Sequence, residues 1–204
     1  MDTETTTWVD LIRHGEPEGG RRYRGHRDDP LSATGWAQMR AALGAEERWD
    51  AVLCSPLLRC RAFAEEVARE QGLPLHVEPQ LKEIHFGDWE GFTPTELAQR
   101  DGERLAAFWA DGERHPPPNG ESLTEFHARV SGAWQHWTDR LSGQRVLLVG
   151  HSGMIRMILA SVLDLAPARA MARLYIPYAG RSRVRLDDTE HGRLGCLLSH
   201  GLTP

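Results

Sequence analysis

The chain has 204 residues, of which 40% are hydrophobic and 26% are charged, and its formal net charge is −5 with the histidines neutral. This length and composition suit a globular protein with a sizeable core, and we predict a single domain over residues 1–204. The acidic balance carries no basic signature for nucleic-acid binding. No apolar stretch approaches the ~20 residues that a membrane span requires, so we expect no membrane partner.

The cysteines give a first indication of the compartment. Cys54, Cys60 and Cys196 are an odd number and follow no metal-ligand spacing. Cys54 lies in an apolar run, where a buried free thiol is the usual interpretation. Residues 1–7 are polar and lack the apolar core of a secretory leader. A reducing, cytoplasmic location therefore fits the sequence best.

Hydrophobic periodicity predicts the fold class. Short apolar runs at residues 8–13, 51–54 and 145–149 are typical of buried β-strands. Between and after them lie segments with helical periodicity, including residues 35–43 and an apolar helix over residues 154–163. Strands that alternate with helices predict a three-layer α/β/α fold with a mostly parallel central sheet.

Several helix boundaries carry capping signals. Ser55-Pro56 looks like an N-cap followed by proline at the first helical position, and Gly72 looks like the end of that helix. Residues 93–96 and 122–125 have the pattern of capping boxes. The first box is expected to open a short helix, and the second a longer helix with one apolar stripe.

The remaining segments are less regular. Residues 173–178, 183–186 and 194–198 are weaker strand candidates. Residues 81–120 look like an insertion, and we expect this insertion to form a partial lid over a ligand site.

Side chains suited to binding a phosphate follow all three predicted strands, where a parallel sheet places its ligands. These segments supply two imidazoles (His14 and His151), two guanidiniums (Arg13 and Arg59) and a helix N-terminus near Ser152 or Gly153. Arginine forks match phosphate oxygens, and helix-end N–H groups favour anions. Neighbouring arginines disfavour the imidazolium form of a histidine and so keep a lone pair available for attack. The pattern predicts a phosphoryl-transfer site.

A second basic feature is the segment that contains Arg21, Arg22, Arg24, His26 and Arg27. On an acidic protein, such a local patch suggests a site for a small anion. Arg24 and His26 are therefore candidate substrate-binding residues. A solvated, arginine-rich loop is the equally weighted alternative.

Ordered motifs resemble the signatures of the histidine phosphatase superfamily, the phosphoglycerate mutase-like proteins. The run Arg13-His14-Gly15-Glu16 resembles the family signature, and residues 29–35 and 54–59 resemble its next two segments. Residues 81–91 resemble the acid-bearing loop of the family. Asn119-Gly120-Glu121-Ser122 and Val149-Gly150-His151-Ser152-Gly153 complete the set, so that the resemblance covers roughly residues 8–163 in the family's order.

The resemblance implies a phosphoglycerate mutase-like fold and a role for each matching residue. His14 is the implied nucleophile, which forms a phosphohistidine. Arg13, Arg59 and His151 are implied to bind the transferring phosphoryl group. Glu83 is the implied acid, which protonates the leaving oxygen and can then activate water. No metal and no other cofactor is implied.

Two positions depart from the family pattern. Gly20 stands where many members have asparagine, which removes a substrate contact. Ser152 stands where glycine is common, but its backbone N–H stays available to substrate. Arg156, near the start of an otherwise apolar helix, is interpreted as the partner of a structural ion pair, with support of the site as the alternative.

Residues 86–93 resemble the phosphatase branch of the family, and especially the α-ribazole phosphatases. The sequence thus predicts a phosphomonoesterase whose partner is a small-molecule phosphate ester, with α-ribazole 5′-phosphate as one candidate. A cofactor-dependent phosphoglycerate mutase and a non-catalytic relative that only binds a phosphorylated ligand are the alternatives. A homodimer is left open.

Overall fold

The computed structural model describes residues 5–44 and 46–202. In chain order the elements are β1 (Thr5–Arg13), α1 (Ala33–Ala42), β2 (Ala51–Cys54), α2 (Leu58–Gln71), β3 (Leu75–Val77), α3 (Pro94–Ala110), α4 (Leu123–Arg140), β4 (Arg145–Gly150), α5 (Ser152–Val162), α6 (Pro167–Arg173), β5 (Arg181–Thr189) and β6 (Gly192–Leu202). Short 3₁₀ turns cover Pro79–Leu81 and Gly87–Trp89.

The strands form one sheet in the order β3-β2-β4-β1-β5-β6. β1, β2, β3 and β4 run parallel, whereas β5 is antiparallel to β1 and β6 is antiparallel to β5. The predicted α/β fold with a mostly parallel sheet is confirmed. The hairpin at one edge accounts for the last two of the three strands predicted in the tail, and both are longer than expected.

Alternating side chains along the central strands supply two apolar cores, one on each face of the sheet. Leu11 and Leu148 pack in the cluster that contains the buried residues of α4 and α5. The adjacent residues Ile12 and Val149 pack in a second cluster with the buried residues of α1 and α2. Because both faces are covered, the carboxyl ends of the strands are where a ligand can approach.

The predicted caps are largely confirmed. Thr93 Oγ1 accepts from the N–H of Glu96, and Ser122 Oγ accepts from the N–H of Glu125, each at 3.2 Å. Both glutamate carboxylates in turn accept a hydrogen bond from the backbone N–H of the cap residue, which completes two capping boxes. α2 is followed by Gly72 at φ 67°, the left-handed conformation that commonly ends a helix.

The predicted N-cap at Ser55 is wrong. α2 begins at Leu58, and its N-cap residue is Leu57, which offers no side-chain hydrogen bond. Ser55 Oγ accepts weakly from the N–H of Leu57 at 3.3 Å and lies 2.7 Å from Nε2 of His151. A tertiary contact therefore takes the hydroxyl that the local pattern assigned to a helix terminus.

The predicted strand over residues 173–178 is also wrong. α6 ends at Arg173, and the segment from Leu174 to Tyr178 is irregular. Pro167 at the first helical position and the alanines after it favour the helix. The irregular segment then carries the chain towards β5 along the wall of the pocket described below.

Residues 81–120 contribute core as well as surface. Ile84, Trp89, Leu97 and Phe108 are all at most 2% exposed and join the cluster beside α4 and α5. α3 is longer than the short helix expected, and it contains a kink at Asp101, whose φ is −145°. The lid function of this segment stays a prediction.

In the described part of the chain, no helix combines the length and the apolar character that crossing a bilayer requires.

Candidate active site

A pocket of about 310 Å³ lies where β1 ends and α5 begins. Its walls include Arg13 and His14 from the end of β1, Arg59 from the first turn of α2, and Ser152 from the start of α5. Glu83 reaches the same pocket from the loop after the first 3₁₀ turn. The structure therefore brings these five predicted residues together.

The surroundings of His14 favour a neutral imidazole in which Nε2 is free. Its Nδ1 lies 2.7 Å from the carbonyl oxygen of Gly15, which can only accept, so in the neutral ring Nδ1 carries the proton and Nε2 keeps its lone pair. Burial, and then the positive charges of Arg59 and Arg13, hold the pKa of His14 well below its usual value. The lowered pKa agrees with the expectation that neighbouring arginines disfavour the imidazolium form, although burial contributes more to the shift than like-charge repulsion does.

The loop that presents His14 depends on two glycines that touch through their backbones. A Cβ on Gly15 would overlap the carbonyl group of Gly35, and a Cβ on Gly35 would overlap that of Glu16. The glycines thus let the start of α1 pack directly under the loop after β1. This close approach explains why both motifs contain glycine.

The two arginines beside His14 are anchored through backbone carbonyls. Arg13 donates to the carbonyl of Ile176 at 2.7 Å, and its guanidinium lies 4.0 Å from the centre of the Tyr178 ring. Arg59 donates to the carbonyls of Arg27 and Gly25 at 2.7 and 2.9 Å. Within the described chain, the buried Nε atoms of Arg13 and Arg59 have no hydrogen-bond partner. A charged ligand oxygen is a fitting partner for such donors.

His151 packs against the ring of His14 and is fully buried. The two rings have centroids 5.3 Å apart at an interplanar angle of 65°. Nε2 of His151 lies 2.7 Å from Ser55 Oγ, and Cys60 Sγ lies 3.6 Å from the same nitrogen. Burial first, and then Arg59 and His14, hold the pKa of His151 well below its usual value. Ser55 is a site residue that the sequence interpretation missed.

The Glu83 carboxylate is held by backbone amides. Oε1 accepts from the N–H of Ile84 at 3.0 Å, and Oε2 accepts from the N–H of Gly153 at 2.9 Å. Gly153 lies in the first turn of α5, where orphan N–H groups and the helix dipole favour negative charge. The helix N-terminus expected to bind substrate is thus shared with the carboxylate of Glu83.

Part of the basic segment faces the pocket. Arg21, Arg22 and Arg24 all line it. Arg24 is already paired with Asp29 at 2.9 Å, and Arg22 donates to the carbonyl of Gly91 at 2.7 Å. These two side chains are therefore partly committed to the protein, whereas Arg21 is exposed.

His26 is not among the residues that line this pocket, and its role in substrate binding stays a prediction. Its Nε2 lies 3.0 Å from the carbonyl oxygen of Glu83, and its ring is 4.9 Å from that of His85. His26 thus contacts the backbone of the acid loop at Glu83. Gly20 also lies outside the pocket, with nothing within 4 Å of the position a Cβ would take.

The ion pair predicted for Arg156 does not form within the described chain. No carboxylate of the described chain lies within ion-pair distance of it; its Nε donates to the carbonyl of Leu174 at 2.7 Å. Its side chain lines the pocket, as do Tyr175 and Tyr178.

Tyr23 and Trp109 line the pocket too, and the indole N–H of Trp109 donates to the Tyr23 hydroxyl at 3.0 Å. Sequence periodicity gave no signal for these aromatic rings.

Within residues 5–44 and 46–202, no three His, Cys, Asp or Glu side chains form a group that could hold a metal ion. The expected independence of metals stays a prediction for experiment.

Comparisons with known proteins agree on one family. The model of the histidine phosphatase superfamily (branch 1) matches residues 9–194. An adenosylcobalamin/α-ribazole phosphatase of Salmonella typhimurium is 34% identical over 166 residues, which cover 78% of this chain and 80% of the relative.

Solved structures give the same result for the fold. The α-ribazole phosphatase of Shigella flexneri superimposes with a TM-score of 0.79 at 29% identity, covering 97% of this chain and 98% of the other. The Bacillus stearothermophilus protein YhfR superimposes with a TM-score of 0.84 at 28% identity, with the same coverage of 97% and 98%.

Proposed function

We propose, from the premise that this chain belongs to the histidine phosphatase superfamily and is a phosphatase, that it hydrolyses phosphomonoesters through a phosphohistidine on His14. The observation that carries the proposal is the state of the His14 ring. Its Nδ1 is committed to the carbonyl of Gly15, so Nε2 is a neutral nucleophile.

In the first step, Nε2 of His14 attacks phosphorus, the N–P bond forms and the P–O bond to the leaving group breaks. The unpartnered Nε donors of Arg13 and Arg59 meet the negative oxygens of the transferring group. His151, packed against His14, adds a further polar group beside the reacting centre. Protonated Glu83 gives its proton to the leaving oxygen, which departs as an alcohol.

In the second step, water attacks phosphorus and the N–P bond breaks. The Glu83 carboxylate takes the proton from water, phosphate leaves, and His14 returns to its neutral form. The two amides that hold the Glu83 carboxylate orient it for both proton transfers.

For the substrate, we propose α-ribazole 5′-phosphate as the first compound to test, since relatives of this chain are named for that activity. The pocket supports an ester with a sizeable leaving group. Tyr23, Trp109 and Tyr175 provide aromatic surface beyond the phosphate-binding floor.

The test is turnover of α-ribazole 5′-phosphate and of p-nitrophenyl phosphate, with and without EDTA. We expect both esters to be hydrolysed, EDTA to have no effect, and His14→Ala to abolish activity while the protein stays folded. Substantial activity in His14→Ala would refute the assignment of the nucleophile. Loss of activity in EDTA would refute the proposed metal independence.

A cofactor-dependent mutase would use the same residues but would protect the phosphohistidine from water. The two activities separate in one assay, which follows exchange between 2- and 3-phosphoglycerate in the presence of 2,3-bisphosphoglycerate. We expect release of inorganic phosphate and no exchange.

We also propose a cytoplasmic location. Its support is the state of the cysteines, since Cys54 and Cys60 are buried free thiols and Cys196 is an exposed one.

A further inference from the structure

The Asn-Gly-Glu-Ser motif has no part in the proposed chemistry, yet its glutamate makes one of the tightest ion pairs in the described chain. Nε and Nη2 of Arg129 donate to the two carboxylate oxygens of Glu121 at 2.6 and 2.8 Å. Both side chains are well shielded, with exposed fractions of 17% and 14%. A bidentate arginine–carboxylate pair of this kind fixes the guanidinium plane in one orientation.

That orientation directs the other N–H groups of Arg129 at the acid loop. Nη1 donates to the carbonyls of Gln80 and Lys82 at 2.5 and 2.9 Å, and Nη2 donates to the carbonyl of Glu83 itself at 2.9 Å. The Arg129 side chain, from α4, thus donates hydrogen bonds to three backbone carbonyls in the segment that ends at Glu83.

Glu121 holds the other side of the same loop. Its Oε2 accepts from the N–H of His85 at 3.2 Å, and its own N–H donates to the carbonyl of His85 at 2.8 Å. The residue before it, Gly120, lies so close to the His85 carbonyl that an added Cβ would be 2.6 Å away. The motif therefore packs directly on the backbone two residues beyond Glu83.

We propose that Glu121 and Arg129, here called the clamp, are positioning residues that hold Glu83 in the place from which it transfers protons. This inference rests on the proposed function of Glu83. The clamp fixes the backbone on both sides of Glu83, and the amides of Ile84 and Gly153 then fix its carboxylate. Proton transfer needs hydrogen-bond reach, and a displacement of about 1 Å can cost on the order of 100-fold in rate.

The test compares two leaving groups in Arg129→Lys. Lysine keeps the positive charge but cannot reproduce the fork that meets Glu121 and three carbonyls. A displaced acid hurts alkyl phosphates most, because an alkoxide leaves poorly without a proton, whereas p-nitrophenolate leaves readily. We expect kcat/KM, which reports on the first phosphoryl transfer, to fall at least about tenfold more for β-glycerophosphate than for p-nitrophenyl phosphate.

A double variant identifies the route of the effect. If the clamp acts through Glu83, adding Arg129→Lys to Glu83→Gln should cause little further loss. The matched control is Arg193→Lys, because Arg193 also bridges carboxylates, those of Asp188 and Asp139, but lies outside the pocket. We expect the control to keep the wild-type ratio between the two substrates.

A second variant and an activity-independent measurement guard against simple misfolding. Glu121→Gln is nearly isosteric and should shift the same ratio in the same direction. In Arg129→Lys, hydrogen exchange at the amides of Ile84 and Gly153 should accelerate, since both donate to the Glu83 carboxylate. Equal losses of kcat/KM for both substrates, additive losses with Glu83→Gln, or unchanged exchange would overturn the positioning role. Failure of the unaltered protein to hydrolyse either ester would instead refute the proposed function.

Discussion

The backbone N–H of Gly153 donates to Oε2 of Glu83 at 2.9 Å, so the first turn of α5 holds the acid of the site. The sequence favoured this helix N-terminus as a binding position for substrate phosphate alone. In the structure, the same favourable electrostatics orient a carboxylate. A Cβ at position 153 would overlap Oε1 of Glu83, which explains the glycine.

Gly153→Ala tests this contact. The added methyl group should push Glu83 away from its amide partners and lower kcat for alkyl phosphates by about tenfold or more. The matched control is Gly132→Ala, at a helical glycine of α4 with open space around it, which should leave activity intact and stabilise the protein by roughly 0.4–1 kcal/mol. Steady-state kinetics and urea unfolding measure both effects. Unchanged kcat in Gly153→Ala would show that the close approach of Glu83 is unimportant.

Ser55→Ala tests the support of His151. Removing the hydroxyl takes away the partner 2.7 Å from Nε2 of His151 and frees the ring to reorient. We expect kcat to fall about tenfold, with a smaller change in KM, because the ring acts beside the reacting phosphoryl group. Ser182→Ala is the matched control, since Ser182 is also buried and bonded to a histidine, His200, at 2.9 Å. Similar losses in both variants would contradict a specific role for Ser55.

The lowered pKa of His14 predicts its protonation state. In ¹⁵N-detected NMR of the free protein in phosphate-free buffer, the His14 ring should keep its neutral signature at pH 6.5, with the proton on Nδ1. An ordinary histidine is about half protonated at that pH. A His14→Gln sample supplies the assignment. An imidazolium signature at pH 6.5 would contradict the neutral nucleophile.

The same shift predicts how stability depends on pH. Below pH ~6.5 the unfolded chain protonates at His14, whereas the folded protein does not, so acid favours unfolding. From this residue, the free energy of unfolding should fall by up to about 1.4 kcal/mol per pH unit below pH ~6.5, and the loss ends at the folded-state pKa. His14→Gln should therefore lose less stability than the wild type between pH 7.5 and 5.5 in urea titrations. Parallel curves for the two proteins would contradict the shift.

Asp10→Asn separates stability from activity. Asp10 is 1% exposed in the middle of β1, where it accepts from Arg183 at 2.7 Å and from the indole of Trp49 at 2.9 Å. Arg181 and Arg145 approach it at 3.5 and 3.6 Å. Neutralising Asp10 leaves these cations undercompensated and should cost roughly 3 kcal/mol of unfolding free energy. Activity per folded molecule should stay unchanged, because the network lies outside the pocket. Unfolding in urea and active-site titration measure the two quantities.

Local sequence patterns correctly predicted the central strands and the N-termini of two helices. The apolar runs before His14 and His151 are strands of the sheet, and both capping boxes form as the spacing of Thr93 and Ser122 indicated. Strand ends in a parallel sheet converge, and the predicted meeting of His14 with Arg59 follows from that topology.

The failures have a common physical origin in tertiary contacts. The hydroxyl of Ser55 suits an N-cap or a partner for His151, and only the fold decides between them. Arg156 suggested an ion pair, but its side chain turns to the pocket wall and to a backbone carbonyl. The substrate-binding role of His26 stays a prediction, and the fold places its ring against the carbonyl of Glu83. Glu83 itself was identified through family resemblance, since no local pattern separates it from Glu78 or Glu90.

The central claim is the covalent intermediate on His14, and rapid-quench labelling with p-nitrophenyl [³²P]phosphate tests it most directly. The account predicts label on the protein within the first turnover. This label should survive alkali, be lost in acid and be absent from His14→Ala. Label that persists in His14→Ala, or that resists acid, would contradict the account.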